Sequence, residues 1–504
     1  MRRALLVLAC SAALAACGST VQVRSSSGAG GPAESGSLGT DGSGPVTPAA
    51  QDPVAPGAIA SEQPGSVGSV PGTTGGLTPA GPGPALATTA PGRGVKPQDV
   101  PGVTSSTVKL GVEYISTAQL GAFANAAGVD AVGQTDMLQA YRAAAAAVNS
   151  AGGVAGGRRL VIVPRERSTA ESNAQAAQTT CTAFTDDNRV LLANLFHAQG
   201  TSAVPCLTSH GVVAIGGAAV EGGSGRDFQR FAGKYVSPGT ADTIVSARTY
   251  VQALLRQGFL TKSSKIGLLW FDFPDFQDAK DRGLVPALQQ GGLALSSDFR
   301  ATYRGSASDL GAIATQMQNA ALKFRSAGID RVLTLDYQGT LQYFFMNSAE
   351  NQRYRPKYGL ATWSDAEFLR ANGSAAQLAG STGIGWMPGY DLAVRQLPVD
   401  EPKRRCLRVM KAAGVPPLQA QTDTLIQLRA CEEVFFAERL LNTATDLSPR
   451  GLAAAAAALG DQPSYVGFAD RFSASKLWGA AAYRDLAFDS SCSCFAYRGP
   501  NRSF

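Results

Sequence analysis

The chain has 504 residues, 44% apolar and 16% charged, with a net charge of +6 at pH 7 and two histidines. That length exceeds one small domain. A mild positive excess, whose one run, Lys403-Arg404-Arg405, reads as a solvated face, excludes the concentrated basic footprint of a nucleic-acid binder, and two histidines exclude a His-rich metal site. No Phe, Tyr or Trp precedes Tyr114, and residues 18–100 hold 12 of the 27 prolines. This tract cannot bury enough apolar surface to offset the entropy of ordering it, so the folding part starts near residue 106.

Met1-Arg2-Arg3 opens an apolar stretch, Ala4–Ala16, too short to stay in a bilayer as a helix. Its end, Leu14-Ala15-Ala16-Cys17-Gly18, resembles the lipobox of bacterial lipoproteins, whose cysteine is acylated and becomes the first residue. The resemblance implies a signal peptide over 1–16 and a lipid anchor at Cys17 in the cell membrane. Residues 17–105, rich in Gly, Ser, Pro and Ala, read as a disordered tether reaching on the order of 50 Å. Six further cysteines remain outside the cytoplasm: Cys181, Cys206, Cys406, Cys431, Cys492 and Cys494. An even number there points to disulfides. Sequence-local pairing of Cys181 with Cys206 and of Cys406 with Cys431 is preferred; Cys492-Ser493-Cys494 is read as structural, with a redox pair as the alternative.

The strand Val108–Val112 is followed by a loop, Ser116–Gly128, and a helix, Gln134–Ser150, which Ala151-Gly152-Gly153 stops. Strand Arg159–Val163, helix Ser172–Phe184, strand Val190–Leu195, helix Thr201–His210 and strand Gly211–Ile215 continue the alternation. After Ser237-Pro238-Gly239 it restarts with helix Asp242–Gln257, strand Lys265–Trp270, helix Asp278–Gln290 and a strand near Leu293–Phe299. Helix Ser308–Ala327, strand Arg331–Leu335, helix Thr340–Asn351 and strand Lys357–Ala361 follow. Such alternation predicts two tandem α/β lobes, each a doubly wound parallel sheet, joined by a hinge. Lobe 1 covers 106–237 and is completed by part of 398–460; lobe 2 covers 238–397 and is completed by part of 461–504. The last region carries the long helix Asp423–Asn442 and a strand ending at Tyr497.

Val148-Asn149-Ser150-Ala151-Gly152-Gly153-Val154-Ala155-Gly156-Gly157-Arg158 resembles the N-x-x-G-G-v-x-G-r signature of periplasmic binding proteins of fold type I, nearest to the leucine/isoleucine/valine receptors. The glycines let the chain leave a helix and re-enter the sheet as a tight hairpin. The resemblance implies an extracytoplasmic, lipid-anchored, monomeric receptor that captures an amino acid or related small molecule between closing lobes. It would hand the ligand to the membrane permease of an ABC importer, without enzymatic turnover, cofactor or metal. A ligand sensor or a scaffold that kept the fold is the alternative. Against an enzyme, no Gly-x-Ser-x-Gly, His-Glu-x-x-His or P-loop occurs.

Ligands of parallel sheets sit at the carboxyl ends of strands, and the resemblance places the contacts in the loops there. In lobe 1 they are Thr117, Phe123, His197, Gln199, Ala218 and Val220; in lobe 2 they are Asp272, Phe276, Asp336, Tyr337 and Trp363. Asp272, Asp336 and Asp365 are candidate partners for an ammonium, since a buried charge must be paired. The serine-rich turn and the threonine that hold a ligand carboxylate in the amino-acid receptors are replaced here by Phe196-His197-Ala198-Gln199 and by Val220. Ser237-Pro238-Gly239 and the segment near Gly385–Pro388 are the expected hinge.

Overall fold

The computed structural model describes residues 100–129, 133–195, 202–216, 223–231 and 233–504. Cys17, the tether up to residue 99, His197, Gln199, Ala218 and Val220 lie outside them, whereas 100–105, expected to be tether, is ordered and bridges Val103 to Val108 at the start of the first sheet. Residues from 100 onward belong to a compact unit built on two main sheets. The first orders its strands β2-β1-β3-β4-β5, all parallel: β1 (Thr107–Tyr114), β2 (Arg159–Glu166), β3 (Leu192–Leu195), β4 (Val213–Gly216) and β5 (Tyr235–Val236). The second contains β6 (Ile266–Phe271), β7 (Leu295–Ala301), β8 (Arg331–Leu335), β9 (Lys357–Leu360) and β10 (Thr382–Gly385). A two-stranded ribbon, β11 (Asp461–Gln462) with β12 (Asp470–Arg471), precedes the antiparallel pair β13 (Ala482–Asp489) and β14 (Cys494–Ser503). This pair joins the second sheet edge-on, giving β14-β13-β10-β9-β8-β6-β7. The inner strands are apolar on both faces; Ile266-Gly267-Leu268-Leu269-Trp270-Phe271 is buried throughout, as a parallel strand covered by helices on both sides must be.

The glycine signature has a local cause. Asp136 accepts a bond from the Gln139 N–H at 2.7 Å and starts the helix Met137–Ser150, whose Met137, Ala140, Tyr141, Ala144 and Val148 are buried. Positions three and four apart form the stripe that meets the sheet. The chain then reverses through Gly152 (φ 113°) and Gly153 (φ 77°), and a Cβ on Gly153 would lie 2.3 Å from the Arg158 carbonyl oxygen. Asn149 holds the returning strand on both sides: its Nδ2 donates to the Leu160 carbonyl at 3.0 Å and its Oδ1 accepts from the Leu160 N–H at 2.7 Å. Arg158 closes the turn by donating from Nε to the Thr104 carbonyl at 2.9 Å.

After residue 398 the chain returns to the first lobe. The helices Glu401–Ala412 and Gln421–Thr443 pack on Met137–Ser150, and Cys406–Cys431 ties them together. Cys181 pairs with Cys206, and Cys492 with Cys494. Cys406–Cys431 spans 25 residues, so a Cys406→Ser/Cys431→Ser variant should lose about 3 kcal/mol of unfolding free energy in urea, the chain-entropy worth of such a loop. A loss below about 1 kcal/mol would show that helix packing alone holds this corner. Between the lobes, Ser237 lies beside Trp478: its N–H donates to the Leu477 carbonyl at 3.0 Å, and the Gly479 N–H donates to the Ser237 carbonyl at 2.8 Å.

Three expectations need correction. Residues 116–128 are not a loop but contain the helix Thr117–Ala127. Ser116 caps its start through Gln119 N–H, and Gly128 ends it at φ 70°. Its sequence has no charge and a central glycine, so its period is faint. The predicted helix Asp278–Gln290 begins earlier, at Pro274, and widens to a π-helical turn over Ala279–Leu284. Helix Asp423–Asn442 extends to Gln421–Thr443.

Candidate functional site

A cavity of about 700 Å³ opens between the lobes. Lobe 1 contributes one face of the 117–127 helix, Leu120, Phe123, Ala124 and Ala127, with Arg167 and Thr169 beyond β2. Their spacing of three and four is a helical apolar stripe, and here it faces an open space instead of a core. Lobe 2 contributes Tyr303 after β7, Tyr337 and Gln338 after β8, Asp365 and Phe368 after β9, and Tyr343 on the helix Thr340–Asn351. The far end is closed by Gln421 and Leu425 at the start of the long helix.

The turns after β8 and β9 are locked together. Gln338 and Asp365 both adopt φ 48°, a left-handed conformation that costs on the order of 1–3 kcal/mol for a non-glycine residue and persists only where surroundings enforce it. Gly339 lies between them: its N–H donates to the Trp363 carbonyl at 3.0 Å, and a Cβ there would meet the Ser364 carbonyl oxygen at 2.5 Å. Asp365 caps the helix Ala366–Asn372 and accepts from Gln421 Nε2 at 2.5 Å. Burial pushes its carboxyl well above the usual carboxylate range. Glu367 is held by Arg370 in a two-bond fork at 2.6 and 2.7 Å.

Both flanks of the cleft are bridged between lobes. On one, the Asn173 N–H donates to the Arg304 carbonyl at 2.7 Å and the Ala307 N–H donates to the Thr169 carbonyl at 2.9 Å. On the other, Thr243 Oγ1 donates to the Gly223 carbonyl at 3.4 Å, Arg226 meets Asp278 at 2.9 Å, and the carboxyls of Asp227 and Asp275 share a hydrogen bond. Burial, and then the Asp227 charge, push Asp275 well above its ordinary range; Asp278 and Asp242 face it as further negative groups. A raised carboxyl pKa means the closed form holds a proton that the separated carboxyl releases, so closure is favoured at low pH and lost as pH rises through the raised value. Ligand affinity should therefore fall as pH rises from the ordinary carboxylate range through the raised Asp275 value, by up to about tenfold for each pH unit in which only the closed form is protonated. Titrating ligand binding in wild type and Asp275→Asn checks this; an equal slope in both rules out the pair as its source.

Of the expected contacts, the structure brings Phe123 and Tyr337 to the cavity, together with Asp365. Five are corrected. Thr117 begins the 117–127 helix and is not in the wall. Asp272 is half-exposed and faces Arg300 at 3.6 Å. Phe276 is 2% exposed, with its ring 5.9 Å from that of Phe273. Asp336 is wholly buried and takes the N–H groups of Tyr337, Leu341 and Gln342 at 2.7–3.0 Å, so it caps the 340–351 helix. Trp363 donates to the Thr334 carbonyl at 2.8 Å and meets Tyr250 and Trp386 edge-on, as a core residue. The sequence reading missed Leu120, Arg167, Tyr303, Tyr343 and Arg395; the period of 120–127 was the one signal that could have found the first. Ser237, in the expected hinge, forms a parallel bridge with Trp478.

No protein-family model matches the chain, and the curated proteins contain no match. Solved structures do resemble it. A fatty acid ABC transporter substrate-binding protein from Thermomonospora curvata is 17% identical with a TM-score of 0.55, over 81% of this chain and 95% of that one. A solute-binding protein of an R. palustris ABC transporter, in complex with 4-hydroxybenzoate, is 12% identical with a TM-score of 0.57, over 79% and 97%. A substrate-binding protein from Desulfitobacterium hafniense, in complex with Leu, is 14% identical with a TM-score of 0.52, over 78% and 100%. At these identities the likeness establishes the fold: two α/β lobes of the type I periplasmic-binding-protein architecture.

Proposed function

We propose that the chain is an extracytoplasmic receptor that closes on a small molecule and passes it to the permease of an ABC importer. The observation that carries this is the 700 Å³ cavity whose wall is divided between two lobes already bridged by backbone hydrogen bonds. A ligand that touches both lobes stabilises the closed form by its differential affinity, and hinge closure gives a transporter a shape to recognise. The ABC-transporter likenesses support the same reading, with their different ligands arguing that the frame tolerates many. Among the described residues no helix is long and apolar enough to cross a membrane. We assign attachment to acylated Cys17, with the stretch from there to residue 99 as the tether.

Thermal unfolding of the full chain against amino acids, aromatic acids, fatty acids and sugars tests this. A ligand of the native state adds RT ln(1 + [L]/Kd), about 2.7 kcal/mol at a hundredfold excess. One class should raise the melting temperature; no shift from any class, in a folded preparation, would remove the receptor reading.

A further inference from the structure

The chemistry of the cavity wall says what kind of solute it fits, granted the receptor reading. An α-amino acid brings an ammonium that needs a carboxylate when desolvated. The described wall holds two, and both are engaged: Glu367 by the Arg370 fork, and Asp365 by Gln421 and the Phe368 N–H. Three arginines, Arg167, Arg370 and Arg395, stand against these two acids. Arg167 is buried and donates to Asn173 Oδ1 at 2.9 Å. Arg395 is exposed at the rim, and among the described residues it has no ion-pair or hydrogen-bond partner. The remainder of the wall is mostly apolar, with the Leu120/Phe123 stripe facing Tyr343, Phe344 and Phe368 across the cleft.

Size points the same way. At about 30 Å³ per water in the liquid, 700 Å³ corresponds to roughly 23 water-sized groups. A single amino acid would leave most of that space unfilled against apolar walls, which forfeits the dispersion contacts that a filled site makes.

We infer that the cavity takes a hydrophobic carboxylate of roughly 20 non-hydrogen atoms, with its apolar body on the 117–127 stripe and its carboxylate at Arg395. Straight-chain and fused-ring acids share this chemistry. The Arg395 guanidinium, rigid and always charged, suits a carboxylate in two-bond geometry. Snorkelling the charge to the rim leaves the hydrocarbon dry and the anion half-solvated, which avoids the cost of burying it.

The test uses the full chain with 1-pyrenebutyrate, followed by its fluorescence, and with hexadecanoate and leucine as competitors. Hexadecanoate should displace the probe and leucine should not; displacement failing with hexadecanoate restricts the site to fused-ring acids. Arg395→Gln should weaken 1-pyrenebutyrate about fivefold to tenfold and leave its methyl ester unchanged, the loss of one charge-assisted contact. Leu120→Ser/Phe123→Ser should weaken acid and ester alike, at least tenfold. Leucine binding in place of both acids would overturn the ligand class and leave the receptor reading standing. Failure of the acids, leucine and the wider solute panel together would overturn both. Probe affinity unchanged by the Leu120→Ser/Phe123→Ser pair would overturn the site. Should that pair fail to fold, the acid-against-ester comparison in Arg395→Gln decides alone, and equal affinities for wild type and variant overturn the proposal.

Discussion

A Gly305→Ala variant should fold normally and bind its ligand roughly 100- to 1000-fold more weakly. Gly305 sits at φ 98°, and a Cβ there would fall 1.9 Å from Asn173 Oδ1, which belongs to the opposite lobe. Arg304 and Ala307, on either side of it, make the two backbone hydrogen bonds that cross this flank of the cleft. Pushing the lobes apart loses both, about 1 kcal/mol each, and the overpacking of the added Cβ against Asn173 costs the closed form about 1–2 kcal/mol more. The sum acts on the closed form, because the nearest obstacle lies in the partner lobe. Small-angle scattering of ligand-saturated protein should show the variant more extended than wild type. Asn173→Gly in the same chain removes the obstructing Oδ1 and should recover part of the affinity. Affinity of Gly305→Ala within threefold of wild type would mean that these contacts are incidental to closure.

The order of strands and helices was readable because two periods carry it. Fully apolar runs such as Ile266–Phe271 announce strands buried on both faces, and the stripe of Met137–Ser150 announces a helix on a sheet. Gly152 and Gly153 stood out because only a glycine accepts the backbone between them. The binding wall was harder to read, for a physical reason. Phe276 and Trp363 are aromatic residues near strand ends, as Tyr337 is, and sequence alone does not say which rings turn into the core and which into the cleft. Asp336 and Asp365 show the same ambiguity: one side chain is consumed by three backbone N–H groups, while the other caps a helix and also borders the cavity. Arg395 escaped notice because it lies on a short 3₁₀ turn, Val394–Gln396, far in sequence from any strand end that the fold would nominate. The return of 401–443 to the first lobe is a long-range packing event: the sequence reading gave part of 398–460 to that lobe, and the pairing of Cys406 with Cys431 joined its two helices, but neither named the partner helix Met137–Ser150.

Glu433→Ala should cost about 3–5 kcal/mol of unfolding free energy, a large share of the margin of an ordinary domain. Glu433 is completely buried on the long helix, and its Oε2 accepts from the Tyr141 hydroxyl and the Asn194 Nδ2. It thereby joins three elements of the first lobe: the long helix, the 137–150 helix and the end of β3. One turn earlier, Arg429 is equally enclosed and donates to the Tyr390 hydroxyl at 2.6 Å, which in turn lies 3.5 Å from Gln338 Nε2 at the cavity wall. Truncating Glu433 takes the acceptor from two buried donors and removes a negative charge that favours the buried Arg429 guanidinium, and desolvated groups deprived of partners carry the full penalty. Glu433→Gln keeps the shape and one acceptor oxygen, so it should cost roughly half as much. Urea unfolding of both variants measures this, and a loss below about 1 kcal/mol for Glu433→Ala would show that the network relaxes or admits water. Because the same chain of contacts ends on Gln338, a destabilised first lobe should also bind ligand more weakly at temperatures where it is still folded. A stability loss without any change in affinity would place Glu433 in the support of the lobe alone.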